Sequence, residues 1–382
     1  MAAATNDVEN LMKGSEGQKA ADYANYFSSY AYIYHQKQML SDGARMRAYR
    51  DAILGNPKSF EGKVVLDVGA GSGILSMWAA KAGAKRVIAC EFTSMADHAE
   101  KLVAANGLGD IVEVRRSAVE TLDLEKGDVD VIVSEWMGYF LLRESMLDSV
   151  IYARDNYLKD GGALFPNRAA LFWAPTALHG ERDAKLAERA EAMADWDAFS
   201  SETTSEYGVD VSSLRAPYAK EQDDFYLKQA QWMEMRDEQL ASPPCCVGVI
   251  DLNTCTLAES AGIEAAPFRF PVPLDRVAAF AGWFDCYFEG SPEEPCEKIV
   301  TLATAPADGY THWGQQVFFV PPAPVADAIA GSGGPERGPS STAGLLTMRR
   351  QKASVRLYDV SVALEIEKDP DAPKLDLAWE LP

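Results

Sequence analysis

Two acids, Glu135 and Glu144, stand in the otherwise apolar stretch Ser134-Glu-Trp-Met-Gly-Tyr-Phe-Leu-Leu-Arg-Glu-Ser-Met-Leu147. Carboxylates held among Trp136, Met137, Tyr139, Phe140, Leu141 and Leu142 lose hydration, so a pair of them makes sense where a cation arrives to relieve their repulsion. The plainer alternative is a strand end followed by an amphipathic helix whose acids face water.

Upstream, Lys63-Val-Val-Leu-Asp-Val-Gly-Ala-Gly-Ser-Gly-Ile-Leu-Ser76 carries a β-branched run into alternate glycines and then into a helical pattern. That order predicts strand, tight turn and helix. Glycines such as Gly69 and Gly71 let a ligand approach the backbone closely. Ile74 breaks the six-position dinucleotide fingerprint, which favours a nucleoside ligand without a pyrophosphate. A second strand over Arg86-Val-Ile-Ala-Cys90 ends at Glu91, where an acid can accept hydrogen bonds from both ribose hydroxyls. A third, Ile111-Val-Glu-Val114, leads to Val119 and Glu120.

These residues resemble the protein arginine N-methyltransferases. Ser134-Glu-Trp-Met-Gly138 with Glu144-Ser-Met-Leu147 is similar to that family's double-glutamate loop, and Thr311-His-Trp313 to its THW loop. Val65-Leu-Asp-Val-Gly-Ala-Gly-Ser-Gly73 resembles its S-adenosylmethionine motif. Tyr26-Phe-Ser-Ser-Tyr30 and Met39-Leu-Ser-Asp-Gly-Ala-Arg45, with Tyr49, resemble the N-terminal helices that close over the cofactor. The leucine pair in Gly138-Tyr-Phe-Leu-Leu-Arg-Glu144 is similar to the sixth paralogue.

The resemblance implies a Rossmann-like S-adenosylmethionine-dependent methyltransferase domain followed by an antiparallel β-barrel with an inserted helical dimerisation arm. It implies S-adenosyl-L-methionine as cofactor and S-adenosyl-L-homocysteine as product. Cofactor contacts fall on Tyr26, Phe27, Gln36, Met39, Arg45, Asp67, Gly69, Gly71, Glu91, Val119 and Glu120. Arg45 takes the cofactor's carboxylate and Glu120 the adenine amino group. Tyr30, Trp136, Met137, Tyr139, Met146 and Trp313 fall on the substrate side, and His312 pairs with Asp42. Met39 beside Thr311-His-Trp313 implies asymmetric dimethylation. No metal is implied.

The chemistry is consistent with two acids. A protonated guanidinium is a poor nucleophile, because its lone pairs are delocalised into the cation. Two carboxylates gripping it can localise charge on one nitrogen and leave another to attack a sulfonium methyl in line. A small-molecule methyltransferase acting on a phenol would want a base or a metal instead. A catalytically weak scaffold relative is the other alternative.

Composition bounds the rest. With 382 residues, 47% of them hydrophobic, the chain is long enough for two packed units. Fifty-seven acids against 36 bases give a formal charge of −21. Such a field repels nucleic acid and draws cationic ligands; by itself it fits simple solubility, and combined with the acid pair it points to a basic polypeptide substrate, which the resemblance implies is arginine-rich, such as Arg-Gly-rich nucleic-acid-binding proteins and histones. No apolar run is long enough for a bilayer and the N-terminus lacks a signal-peptide pattern, so the expected location is cytoplasmic and/or nuclear, without membrane contact. Cys90, Cys245, Cys246, Cys255, Cys286 and Cys296 lack metal-ligand spacing and are read as reduced thiols.

Along the chain, residues 1–20 are expected to be a loose tail, 21–62 cofactor-closing helices, 63–166 the cofactor domain and 167–382 the barrel domain. Lys159-Asp-Gly-Gly162 reads as a turn at that boundary. Strands are expected at Ala169–Ala174, Val247–Ile250, Phe280–Phe288, Gln316–Val320 and Val355–Leu364. About 181–213 reads as the helical arm of a homodimer, and 331–341 as a surface loop. Two departures from the family pattern stand out. Gln36 follows a displaced His35, and Arg143, which would compete with the substrate for Glu144 if it turned inward, is expected to point outward and shape peptide preference.

Overall fold

The computed structural model describes residues 30–331, 341–352, 354–366 and 374–381. The expected tail, Tyr26, Phe27 and most of the 331–341 loop lie outside them.

Two helices come first, α1 (Ile33–Ser41) and α2 (Gly43–Leu54). Asp42 separates them and caps α2 by accepting from Arg45 N at 3.0 Å. A five-stranded parallel sheet follows, in the order β3-β2-β1-β4-β5. Its strands are β1 (Val64–Val68), β2 (Arg86–Glu91), β3 (Val112–Arg116), β4 (Val129–Ser134) and β5 (Leu158–Phe165). The crossovers use α3 (Ile74–Lys81), α4 (Ala96–Ala105) and α5 (Leu147–Asn156). Helices on both faces bury β1 and β4 almost wholly, which is why Val-Val-Leu-Asp-Val and Val-Asp-Val-Ile-Val read as runs rather than alternations. The reversal of strand order beside β1 opens a crevice at the strand C-termini, where Gly69, Glu91 and Glu135 emerge. The expected turn at Lys159–Gly162 lies inside β5: Gly161 takes φ 72°, and the register against β4 shifts between Val129 and Val131.

Beyond Phe165 the chain is antiparallel. One sheet runs β7 (Gln231–Met233), β12 (Gln315–Phe319), β10 (Ala279–Gly290), β6 (Arg168–Thr176) and β8 (Cys245–Asp251), with β11 (Pro295–Ala303) paired to β10. The other runs β15 (Lys374–Leu381), β14 (Tyr358–Glu365), β13 (Thr342–Arg350) and β9 (Gly262–Phe270). A parallel bridge between Gln229 and Glu380 joins the two along one edge, closing the barrel there. Trp173, Phe280 and Phe318 fill its aromatic core, Trp173 stacking on Phe280 at 5.1 Å. The strands β7, β9, β11, β13 and β15 come in addition to those expected.

Between β6 and β7 projects the arm, a hairpin of α6 (His179–Tyr207) and α7 (Arg215–Leu227). It extends past the expected end near Ser213, because α7 folds back on α6. Trp196 stacks on Tyr218 at 4.4 Å and Arg215 grips Asp197 through both carboxylate oxygens. Phe199, Tyr207, Leu214 and Phe225 remain exposed on it. Two short helices complete the described residues, α8 (Leu257–Ser260) and α9 (Pro322–Gly331).

Candidate active site

Glu135 and Glu144 stand at the two feet of a hairpin that leaves the end of β4. Gly138 N donates to Leu141 O at 2.9 Å, and a Cβ on Gly138 would lie 1.8 Å from Arg143 O, so only glycine lets the two limbs meet. Phe140, Leu141, Glu144 and Ser145 all take positive φ, at 46°, 68°, 83° and 57°. Such conformations cost non-glycine residues free energy and persist where the surroundings over-determine them.

The surroundings do so from three sides. Phe140 is fully buried in the barrel against Trp173, in a space left by Gly282, whose Cβ would be 2.5 Å from the Phe140 ring. Burying that ring contributes about 2 to 3 kcal/mol toward holding the hairpin. Trp313 Nε1 donates to Met137 O at 2.9 Å. From the β13–β14 connection, Arg356 O accepts from Glu144 N at 2.9 Å, and Ser145 Oγ donates to Val355 O at 2.5 Å. Trp136, Met137 and Trp313 are themselves buried, so their side chains support the hairpin from below instead of lining the surface, while Tyr139 and Met146 are half-buried.

Each acid is already engaged. Glu135 Oε2 pairs with Arg45 Nη2 at 2.8 Å, and Arg45 also donates through Nη1 to Met39 O at 2.9 Å. Glu144 accepts from Tyr30 Oη at 2.8 Å on Oε2 and from Arg143 Nη1 at 3.3 Å on Oε1. Arg143 therefore points inward, against expectation. The positive φ of Glu144 turns two consecutive side chains to one side, where an extended chain would alternate them. Tyr49 Oη donates to Ser134 O at 2.8 Å. Burial, with the Glu135 charge adding to it, pushes that phenol well above its usual range and keeps it a donor.

Asp42 ties this half to the barrel. It is 1% exposed and accepts from His312 N at 2.8 Å and His312 Nδ1 at 2.7 Å. Burial alone would raise its pKa, but the hydrogen bonds from His312 and Arg45 outweigh it and hold the carboxyl below its ordinary range. The carboxylate is thus ionised at neutral pH and only accepts, which places the imidazole proton on Nδ1.

At the glycine turn, Gly69, Gly71 and Gly73 all take positive φ. Glu91 Oε2 accepts from Gly71 N at 2.8 Å, and its Oε1 accepts from Thr93 N and Oγ1 at 2.8 and 2.6 Å. Thr93 carried no sequence signal. Asp67 accepts from Ser76 N and Oγ, yet its Oδ1 is buried without a partner. Burial raises its pKa to about 7 despite the Ser76 bonds, and the Glu91 charge pushes the same way. Gln36 is buried with its amide lying over Gly71, where the displaced His35 instead packs near the Tyr30 ring at 6.0 Å. Met146 lies over Gly69, and Met39 is half-buried on α1. Val119 is buried, its carbonyl accepting from Tyr157, whereas Glu120 is exposed and takes Ser149 Oγ at 2.6 Å.

Residues 178–369 match the model of the arginine methyltransferase oligomerization subdomain and residues 65–162 that of a methyltransferase domain. Over 358 residues the chain is 44% identical to protein arginine N-methyltransferase PRMT10 of Arabidopsis thaliana, covering 93% of this chain and 90% of that one. The chain belongs to the protein arginine N-methyltransferase family. It is 40% identical over 295 residues to protein arginine N-methyltransferase 6 of Danio rerio, covering 77% and 78% of the two chains. The likeness to the sixth paralogue is real, but the match to PRMT10 is longer and higher in identity. The crystal structure of Arabidopsis thaliana protein arginine methyltransferase 10, described as a uniquely open conformation, superposes with a TM-score of 0.82 at 41% identity over 93% of this chain and 99% of that one. The Trypanosoma brucei PRMT1 enzyme-prozyme complex with AdoHcy follows at 0.68 and 27%, over 93% and 100%.

Members of this family transfer methyl groups to arginine nitrogens, and this chain's cofactor is S-adenosyl-L-methionine. The residues present fit it. Arg45 keeps a buried Nε without a partner, a donor suited to the amino-acid carboxylate. The bare turn at Gly69 and Gly71 admits a close approach, with Glu91 fastened beside it for the ribose.

Proposed function

We propose that this enzyme forms ω-monomethylarginine and then asymmetric dimethylarginine on basic, arginine-rich proteins, with Glu135 and Glu144 as the clamp on the acceptor guanidinium. One observation carries the reading: each of these acids already holds an arginine of its own chain, Arg45 on Glu135 and Arg143 on Glu144. Acids that take guanidinium groups of their own chain support a site shaped for a guanidinium. Bound S-adenosylmethionine supplies a sulfonium methyl. The two carboxylates would orient the acceptor, draw positive charge onto one nitrogen and leave the other free to attack; as its new C–N bond forms the methyl–sulfur bond breaks, the neutral thioether leaves, and the methylated nitrogen gives one proton through the carboxylates to solvent. Tyr30 holds one Glu144 oxygen in place, and the tie from Asp42 to His312 keeps α2 and Arg45 against the barrel. Met39 and Thr311-His-Trp313, which resemble the corresponding residues of the family's asymmetric-forming members, support the product assignment. The arm, with its exposed aromatic residues, supports a homodimer, and the −21 charge supports basic substrates met in the cytoplasm or nucleus.

Labelled S-adenosylmethionine and an Arg-Gly-rich peptide, followed by amino-acid analysis, test this reading. Asymmetric dimethylarginine is expected, and symmetric dimethylarginine as main product overturns it. Glu135→Gln and Glu144→Gln should each lower turnover by at least about 100-fold; Glu144→Gln should keep cofactor affinity, whereas Glu135→Gln also loosens Arg45, the donor suited to the cofactor's carboxylate.

A further inference from the structure

Arg143 sits where an incoming guanidinium is expected. Its Nη1 lies 3.3 Å from Glu144 Oε1, and its guanidinium carbon is 5.5 Å from the centre of the Tyr139 ring. The side chain is 24% exposed, and its Nε is buried without a hydrogen-bond partner. The contact is built in, because the left-handed backbone at Glu144 and Ser145, pinned by Arg356 O and Val355 O, is what turns Glu144 toward its own neighbour.

We propose that Arg143 is a resident guanidinium that occupies the acceptor subsite while no peptide is bound, so that every substrate arginine enters by displacing it. This rests on the clamp reading above. Tyr30 is a neutral donor on Oε2, whereas Arg143 on Oε1 is a second cation of the same kind as the substrate group, so a peptide guanidinium that grips Glu144 meets its charge and must compete with it. In the meantime Arg143 is one of the groups that offset the half-buried Glu144 charge. The exposed part of the side chain gives it one way out, toward solvent at the mouth of the site. There its positive charge meets the residues flanking the target arginine. An acidic flank offers the displaced Arg143 a new partner, and a lysine flank repels it. Arg143 is thereby a specificity-determining residue, acting through competition and not through the transfer itself.

The test compares wild type with Arg143→Gln and Arg143→Ala on three peptides. These carry a single arginine among glycines, flanked on both sides by Gly, by Asp or by Lys. Removing the competitor should lower KM for the Gly-flanked peptide about 3- to 10-fold, as expected for one partly exposed ion pair, without lowering kcat. The ratio of kcat/KM for the Asp-flanked peptide to that for the Lys-flanked one should fall in both variants relative to wild type, because only the repulsion and attraction due to Arg143 are removed while the chain's large acidic excess stays. Guanidinium ion, used as a competitive inhibitor, should bind more tightly to the variants by a similar factor. An unchanged or raised KM with an unaltered flank preference, alongside an inactive Glu144→Gln, overturns the resident role of Arg143 alone. Retained turnover in Glu144→Gln overturns the clamp and this proposal with it.

Discussion

Replacing His312 by alanine takes one hydrogen bond from Asp42 and leaves two. The carboxylate receives Arg45 N at 3.0 Å, His312 N at 2.8 Å and His312 Nδ1 at 2.7 Å, and alanine keeps both backbone donors. A hydrogen bond to a charged group contributes about 1.5 to 3 kcal/mol. The imidazole is 27% exposed while Asp42 is 1% exposed, so water competes at one end only and the lower half, about 1.5 to 2 kcal/mol, is expected. Asp42→Asn should cost more, because its Oδ1 can still cap α2 but the NH2 that replaces Oδ2 faces both His312 donors and accepts from neither. A double-mutant cycle in urea isolates the pair, with a coupling of about 1.5 kcal/mol expected. Methylation of an Arg-Gly peptide by His312→Ala should fall, because α2 carries the Arg45 that grips Glu135. Additive stability losses, with a coupling under about 0.5 kcal/mol, would refute the tie between helix and barrel.

Glu91→Ala removes three hydrogen bonds from the glycine turn and its neighbour, and should weaken S-adenosylmethionine binding by about 1 to 3 kcal/mol in calorimetry; unchanged affinity moves the ribose elsewhere. Asp67 is protonated more readily folded than unfolded, so its stabilising contribution is complete below 3.8 and is lost as pH rises toward about 7. The loss is on the order of 4 kcal/mol at most, and urea midpoints of Asp67→Asn should fall less between pH 4.5 and about 7 than those of wild type. Identical slopes would show that Asp67 ionises normally. Deleting the α6–α7 hairpin should yield a monomer with poor activity; light scattering that finds the intact chain monomeric at micromolar concentration contradicts the dimer.

Much of the cofactor half was legible because its signals are local. Val-Val-Leu-Asp-Val before alternate glycines specifies strand and turn within a few residues, and the acid at Glu91 follows at the end of the next strand. The hairpin at Glu135 to Glu144 was legible as residue types and not as geometry. Nothing in Arg-Glu-Ser announces left-handed backbone at Glu144 and Ser145, since those conformations are imposed by main-chain carbonyls of Val355 and Arg356, which any residue type would supply. The inward turn of Arg143 follows from them and was missed for the same reason. Local pattern ends the arm near Ser213, because what holds α7 is distant in sequence, the stack of Tyr218 on Trp196 and the grip of Arg215 on Asp197. Lys159-Asp-Gly-Gly162 carried turn composition yet pairs within a sheet, where tertiary context overrode local preference.

The plug formed by Phe140 bears on how such a chain can be recombined. The hairpin belongs to the first domain by sequence and to the second by packing, since Phe140 fills space that Gly282 vacates and its limbs hang from Trp313 and Arg356. A crossover between homologues near residue 166 would therefore separate a ring from the glycine that receives it. Chimeras that take both positions from one parent should keep a working hairpin. Those that mix a large residue at 282 with Phe140 should retain a cofactor domain whose acids no longer face an arginine, so the two halves are inherited as one unit although they fold as two layers.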